Sequence, residues 1–417
     1  MVLCMLNQTF EYKTLLRLTR KQEIIKFSLG RENTQYEESL KLIAKNINAP
    51  NFSFLSLTHT LHKSKTVFTV TRPEEYYAIK KIAHDLKRLY RVRFSGRDEI
   101  TEQIISIFHD TSSFSTIKID ISSFFESINF KDLIARLKND NLLSYKSIKI
   151  LETLSLSTAK VHSGLPRGLG ISSILSEIYM EDIDLGIKKI DGTYYYARYV
   201  DDIIIITHSK CISLDTYKKI IDKGGLSSNN KSTSFTTLSI NDGHDDKHSD
   251  LLEFLGYEYK ILNTKNSMGR RNVHIYLSRK KINKIKSRII QAIQDFKISG
   301  DITTLEQRFQ FLSSNYPIDT STSRRHYFSD DEIDELRGGI FYNNKYINTP
   351  ERLLELNDFL TRLMFSRKSN SIGRTIQSIP IQKRRRLASM DFKNGFMKKH
   401  YHNFDKSELN LICSCWN

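Results

Sequence analysis

Two hydrophobic periods run along this chain, and they divide it. Residues 10–50 carry apolar positions at helical spacing among mixed charges, which predicts helices. The stretch Thr66-Val67-Phe68-Thr69-Val70 alternates and predicts a strand, whereas residues 73–93, rich in Lys, Arg and Tyr, predict a helix running into a basic turn. Strand and helix patterns then alternate from 117 to 258. Beyond about 275 the pattern is helical and basic to the end. In residues 278–296, Ile282, Ile285, Ile289, Ile293 and Phe296 form one apolar stripe. Lys280, Lys281, Lys284, Lys286 and Arg288 cover much of the rest, as a solvated face or as a track for a nucleic-acid backbone.

Three stretches of the alternating region carry candidate chemistry. In Tyr194-Tyr195-Tyr196-Ala197-Arg198-Tyr199-Val200-Asp201-Asp202-Ile203-Ile204-Ile205-Ile206-Thr207, two β-prone runs flank paired aspartates with room only for a tight turn. That predicts a hairpin with both carboxylates at its tip. Asp245-Asp246 and Asp330-Asp331 lie in polar surroundings, but Asp201-Asp202 sits between apolar strands, where like charges cost stability unless a cation compensates them. Upstream, Ile117, Ile119 and Ile121 alternate with polar residues, so Asp120 projects from the opposite face near a strand's end. Alone, Asp120 reads as a solvated strand-end carboxylate. Together with the hairpin it supplies the oxygen ligands that a pair of Mg²⁺ ions takes alongside phosphate oxygens. Between these strands, Ser163-Gly164-Leu165-Pro166-Arg167-Gly168-Leu169-Gly170-Ile171-Ser172-Ser173 predicts a close-approach turn, with Ser172 or Ser173 capping a helix over 174–187.

Composition narrows the class. A chain of 417 residues suggests two or three domains, and 39% hydrophobic with 27% charged residues excludes a disordered or membrane protein. The longest aliphatic run is the four isoleucines at 203–206, too short to span a bilayer. Residues 1–6 lack the basic start of a secretory signal. Cys4, Cys211, Cys413 and Cys415 form neither a disulfide ladder nor a CxxC pair, which fits a reducing cytoplasm and argues against structural zinc. A net charge of +17 suits a polyanion held through its phosphates.

In order and spacing, these pieces resemble a reverse transcriptase over roughly residues 75–260. Asp120 with Phe124-Phe125 resembles motif A, and Gly164-Leu165-Pro166-Arg167-Gly168 resembles motif B. Tyr199-Val200-Asp201-Asp202 matches the YxDD box of motif C, and Lys231-Ser232 stands where motif D has Lys-Thr, with Ser228 where Asn is usual. Phe254-Leu255-Gly256-Tyr257 resembles the primer grip of motif E, and Phe94-Ser95-Gly96-Arg97 the Gly-Arg element of the fingers. The run Gly164 to Ser172, with Arg167 where retroviral and intron enzymes carry Gln, is similar to bacterial antiphage reverse transcriptases of the abortive-infection and defence-associated kind. The start Asn7-Gln8-Thr9-Phe10 and the run Tyr196 to Asp202 look closest to the "a" polymerase of type 3 defence-associated systems, which pair two reverse transcriptases with a noncoding RNA.

The resemblance implies an α+β right hand: a βαββαβ palm, fingers and a helical thumb and C-terminal region. The expected divisions are an N-terminal extension (1–70), fingers (71–116), palm (117–260, with finger elements around 131–163), a thumb-like region (261–345) and a basic helical region (346–417). It implies metal ligation by Asp120, Asp201, Asp202 and the carbonyl of Ile121, with two Mg²⁺ ions or Mn²⁺ in their place. Phe125 takes the position of the steric gate that selects dNTPs. Arg97, with Arg91 or Arg93, would clamp the triphosphate; Pro166, Arg167 and Gly168 would line the template or incoming pair; Lys231 would protonate pyrophosphate. The implied partners are a noncoding RNA template, dNTPs, the DNA product, a second reverse transcriptase subunit and a higher-order complex, in the cytoplasm and without a membrane. The competing readings are a template-independent or protein-primed DNA polymerase and a non-catalytic RNA scaffold. No sequence feature marks a priming tyrosine. His244 and His248 read as an exposed loop, Cys413 and Cys415 as non-ligands, and Lys383-Arg384-Arg385-Arg386 as either an RNA anchor or a solvated segment.

Overall fold

The computed structural model describes residues 6–30, 32–208, 213–229, 233–238, 249–318 and 337–416. By internal contacts the chain forms two units, one of residues 1–100 and 113–238 and the other of 101–112 and 239–417.

The first unit begins with α1 (Tyr12–Leu18), α2 (Lys21–Lys26) and α3 (Asn33–Asn48), in the region where helical spacing predicts helices. A hairpin follows, β1 (Leu57–His62) and β2 (Lys65–Val70), whose two-residue turn Lys63-Ser64 has positive φ at both positions, the pattern of a type I′ turn. Then comes α4 (Pro73–Leu89), started by a proline in its first turn, and next α5 (Arg97–Phe108), whose residues from 101 on belong to the second unit. The palm-like part comprises β3 (Phe114–Asp120), α6 (Phe124–Ser127), α7 (Phe130–Asn139), α8 (Tyr145–Thr158), α9 (Gly170–Lys188), β4 (Thr193–Tyr199), β5 (Asp202–Thr207), α10 (Leu214–Lys223) and β6 (Ser234–Leu238). Its four strands pair antiparallel in the order β4-β5-β3-β6, so helices and strands read βαββαβ along the chain.

Register explains why the apolar run at 203–206 is a strand and not a helix. Ile117 opposes Ile205 and Ile119 opposes Ile203, and all four join one core with α3, α4, α7, α8 and α9 residues such as Ile47, Ile82, Leu137, Leu151 and Leu175. Directly opposed residues share a face, so Asp120 and Asp202, which oppose each other one step on, project from the other face. All four isoleucines of β5 are fully buried.

The second unit opens with an antiparallel meander of β7 (Ser249–Phe254), β8 (Tyr257–Lys265) and β9 (Arg271–Leu277). The sequence patterning did not separate β8 and β9 from their surroundings. α11 (Arg279–Ser299) follows, with Ser278 capping its start by accepting from Lys281 N and Gly300 ending it in the left-handed region. Its buried face is Ile282, Ile289, Ala292 and Ile293, close to the expected stripe. The rest is α12 (Ile302–Ser313), a short β10–β11 hairpin (Asn315–Pro317 and Arg337–Gly339) and the helices α13 (Leu354–Met364), α14 (Ser371–Ser378), α15 (Ile381–Ala388), α16 (Phe392–Met397) and α17 (Lys406–Ser414). The Lys383–Arg386 cluster lies on α15, where Lys383 and Arg386 pair with Glu306 of α12. No helix among the described residues is long and apolar enough to cross a membrane.

One expectation fails locally. Ser172 and Ser173 do not cap the helix after the glycine-rich turn, because α9 starts earlier, at Gly170, and its N-cap position is Leu169. The Ser172 hydroxyl instead donates to Pro166 O at 2.5 Å and ties the turn to the helix behind it.

Candidate active site

The carboxylate pair is made by register. Asp120 ends β3 and Asp202 begins β5, directly across from it. Asp201 occupies the two-residue turn with Val200, and Ile121 N donates to Asp201 O at 3.2 Å, which joins the end of β3 to the hairpin tip. Val200 has φ +61°, a conformation that a β-branched residue adopts only under constraint.

The constraint lies beneath the hairpin. Arg198 of β4, almost fully buried, donates from Nη1 to Val200 O at 3.1 Å. The same guanidinium pairs with Glu177 at 2.7 Å and Asp184 at 3.0 Å, both on α9, and Tyr196 donates its hydroxyl to Asp184 at 2.6 Å. Burial alone would lower the Arg198 pKa, but the two carboxylates bonded to it raise it. Burial, reinforced by the Asp184 charge, pushes the Tyr196 phenol well up. This ion cluster fixes the turn that carries Asp201.

At the tip the balance is the reverse. Burial raises the pKa of the Asp201 carboxyl, and the negative charge of Asp120 adds to the effect against the cations of Arg167 and Lys65. The Asn229 side chain donates to Asp120 Oδ2 at 3.1 Å while its main-chain N–H bonds Asp120 O at 2.7 Å. Asn229 escaped the sequence reading, although it belongs to an Asn-Asn pair immediately before Lys231. Lys231 itself lies outside the described residues, as do His244, His248, Asp245, Asp246, Asp330 and Asp331.

The motif residues at 124–126 and 164–168 pack on one another, and the Arg167 charge acts on Asp201. Phe124 is buried in the core, and its neighbour Phe125 is half-buried, with the rings 5.3 Å apart in an edge-on contact. The 164–168 turn presses on both: Leu165 N donates to Phe125 O at 2.8 Å. Gly164 has φ +84°, and a Cβ there would stand 2.3 Å from Phe125 O and 2.5 Å from Glu126 O. Both obstacles are main chain, so Gly164→Ala is expected to destabilise the first unit by about 1–3 kcal/mol, read as a lower midpoint in urea unfolding. Arg167 O accepts from Phe68 N at 2.7 Å, which docks the β1–β2 hairpin on the turn, and Gly168 is exposed beside it. Pro166 is buried.

The hairpin brings in a cation that the sequence reading missed. Lys65, exposed at the start of β2, acts electrostatically on both Asp201 and Glu126. Its signal was the Lys63-Ser64-Lys65 turn before the alternating stretch. Arg97 begins α5 and is half-buried, whereas Arg91 and Arg93 are exposed. In the second unit, Leu255 (φ +46°) and Gly256 (φ +79°) form the two-residue turn between Phe254 and Tyr257. The Phe254 and Tyr257 side chains are buried in that unit's core, and Lys281 lies over the Tyr257 ring at 5.1 Å.

Among the described residues no group of three His, Cys, Asp or Glu side chains is arranged to hold a metal ion. The donor set at the tip is nonetheless all oxygen and carries repulsion that a cation would relieve. It fits Mg²⁺, which takes one or two carboxylates and completes its shell with water and substrate oxygens.

A βαββαβ sheet with carboxylates where its two central strands end, flanked by a glycine-rich turn and a basic hairpin, defines the palm of a right-hand polymerase. A family model described as reverse transcriptase (RNA-dependent DNA polymerase) matches residues 45–259, just over half of the chain. The chain belongs to this reverse transcriptase family. Among solved structures it is similar to an apo telomerase from Candida tropicalis truncated from the C-terminal domain, at 16% identity and a TM-score of 0.33 over 61% of this chain and 50% of that one. It is also similar to a telomerase from Candida albicans in complex with a TWJ fragment of telomeric RNA, at 13% identity and a TM-score of 0.36 over 92% of this chain and 65% of that one. The chain thus spans between half and two thirds of the length of these telomerases. No curated protein matches it.

Proposed function

We propose that this reverse transcriptase adds dNTPs to a DNA 3′-end on an RNA template by two-metal phosphoryl transfer. The observation that supports it most is the direct opposition of Asp120 and Asp202 across β3 and β5, with Asp201 at the adjoining turn. Asp120, Asp201 and Asp202, with the Ile121 carbonyl, hold the two Mg²⁺ ions, or Mn²⁺ in their place. When bound, the ions activate the 3′-hydroxyl and neutralise charge on the departing pyrophosphate. Asn229 orients the Asp120 carboxylate through its side-chain bond. Phe125 lies under the nucleotide sugar and excludes a 2′-hydroxyl. Lys65, whose charge already reaches Asp201, holds the triphosphate with Arg97. Pro166, Arg167 and Gly168 border the incoming pair, Lys231 gives a proton to pyrophosphate, and the Leu255-Gly256 turn supports the primer.

The template is a companion noncoding RNA, and the biological role is antiphage defence in the cytoplasm, together with a second reverse transcriptase subunit. The Arg167-bearing turn and the Tyr196 to Asp202 run support this finer reading through their resemblance to defence-associated enzymes. The protein purified with its bound RNA, given Mg²⁺ and labelled dNTPs, is expected to make DNA that disappears with RNase pretreatment or a metal chelator. Product that persists after RNase would remove the RNA template from the account; silence with Mg²⁺ and with Mn²⁺ would remove the polymerase. In cells, loss of phage protection on Asp201→Asn substitution tests the defence role.

A further inference from the structure

We infer that Arg167 and Glu126 are positioning residues for sugar selection, clamping the Phe125 ring so that it holds one height beneath the nucleotide. The inference rests on the polymerase reading above and adds a determinant to it. Arg167 Nε and Nη2 donate to the two Glu126 carboxylate oxygens at 2.6 and 3.0 Å, a fork that fixes the guanidinium plane. The same guanidinium stands 4.8 Å from the centre of the Phe125 ring, within range for a cation–π contact. Phe124 holds the ring from its edge, and Leu165 N holds the Phe125 carbonyl. Arg167 is itself immobilised, since its carbonyl accepts from Phe68 N of β2. Glu126 does not lose its charge near neutrality, because the Arg167 guanidinium bonded to it holds its carboxyl down at about 2.

A gate works only if it cannot shift. An unclamped ring has room to tilt on a four-residue helix, and a displacement of about 1 Å is enough to spoil a positioned contact. Two of the five Arg167 N–H groups bond Glu126 and the guanidinium lies over Phe125, which gives this arginine a task separate from touching the template. Its charge also acts on Asp201, so removing it slows both substrates. The ratio between substrates isolates the gate.

The test measures kcat/KM for a dNTP and the matching rNTP, using the full chain with its copurified RNA. Arg167→Met and Glu126→Gln are each expected to lower the dNTP preference by about tenfold, the size of a lost charged stacking and bonding contact. Arg167→Lys should recover part of it, and the double variant should be no worse than either single one, since the pair acts as one unit. Phe125→Val should lower the preference at least as far. If Phe125→Val lowers it while Arg167→Met and Glu126→Gln leave it unchanged, the gate stands and the clamp is wrong. Additive losses in the double variant overturn the clamp as well. If no variant moves the ratio, or the wild type makes no DNA, the polymerase or gate reading falls and the clamp with it. Should Arg167→Met fail to fold, the nearly isosteric Glu126→Gln decides alone.

Discussion

Asp201→Asn and Asp202→Asn together are expected to abolish DNA synthesis while leaving the fold intact, with a loss of about 10³-fold or more in kcat, because in the proposed reaction these carboxylates would hold the charge-stabilising ions. Stability should move the other way. The Asp201 carboxyl has its pKa raised by burial and by the neighbouring Asp120 charge, so the ionised wild type is strained in metal-free buffer near neutrality. The sign follows: a carboxyl whose folded pKa exceeds its unfolded one destabilises the fold once ionised, and the strain fades as pH falls through the folded value. A neutral amide removes it. In chelator, the double variant should therefore melt at or above the wild-type temperature, and added Mg²⁺ should raise the Tm of the wild type alone. A variant that still extends primers at the wild-type rate would detach these residues from the chemistry. One that melts well below the wild type would show that they serve the fold.

Arg198→Met carries the largest stability cost in the first unit. It leaves Glu177 and Asp184 facing each other beneath β4 without their cation, and breaking a buried pair of this kind costs about 3–5 kcal/mol. It also frees the Val200 carbonyl, so the strained residue at φ +61° can relax and carry Asp201 away from the end of β3. Urea unfolding should show the full loss, and Arg198→Lys only part of it, since one ammonium cannot reproduce a fork that bonds two carboxylates and a carbonyl. Stability within about 0.5 kcal/mol of wild type for Arg198→Met would refute the account, because surface substitutions commonly stay within that range. The requirement for a buried cation here is a matter of geometry. The turn must expose an acid to ligands while its own backbone adopts a conformation that valine resists.

Much of this was legible along the chain. Alternation placed Asp120 opposite to Ile117 and Ile119, and the tight spacing of Tyr199 and Ile203 put Asp201 and Asp202 at a hairpin, because strand period and turn length are local properties. Phe124 and Phe125 are adjacent and chemically alike, and only the resemblance put the gate at Phe125; the fold buries the first and leaves the second half open. The expected serine cap failed because α9 starts at Gly170, which puts Ser172 inside the helix, where its hydroxyl donates to Pro166 O across the turn.

What the sequence determined by itself was which residue types recur at strand and helix period, and hence the alternation of strands and helices and the three aspartates; the βαββαβ order followed from the resemblance that these residues carry. Only the tertiary structure decided the partners. Asp120 meets Asp202 through strand register, Arg198 finds Glu177 and Asp184 on a helix that precedes it, Arg167 turns to Glu126 and Phe125, and Lys65 reaches Asp201 from a separate hairpin. Periodicity is set by neighbours a few residues away. Charge pairing joins positions tens to more than a hundred residues apart, and their meeting depends on how every intervening element packs.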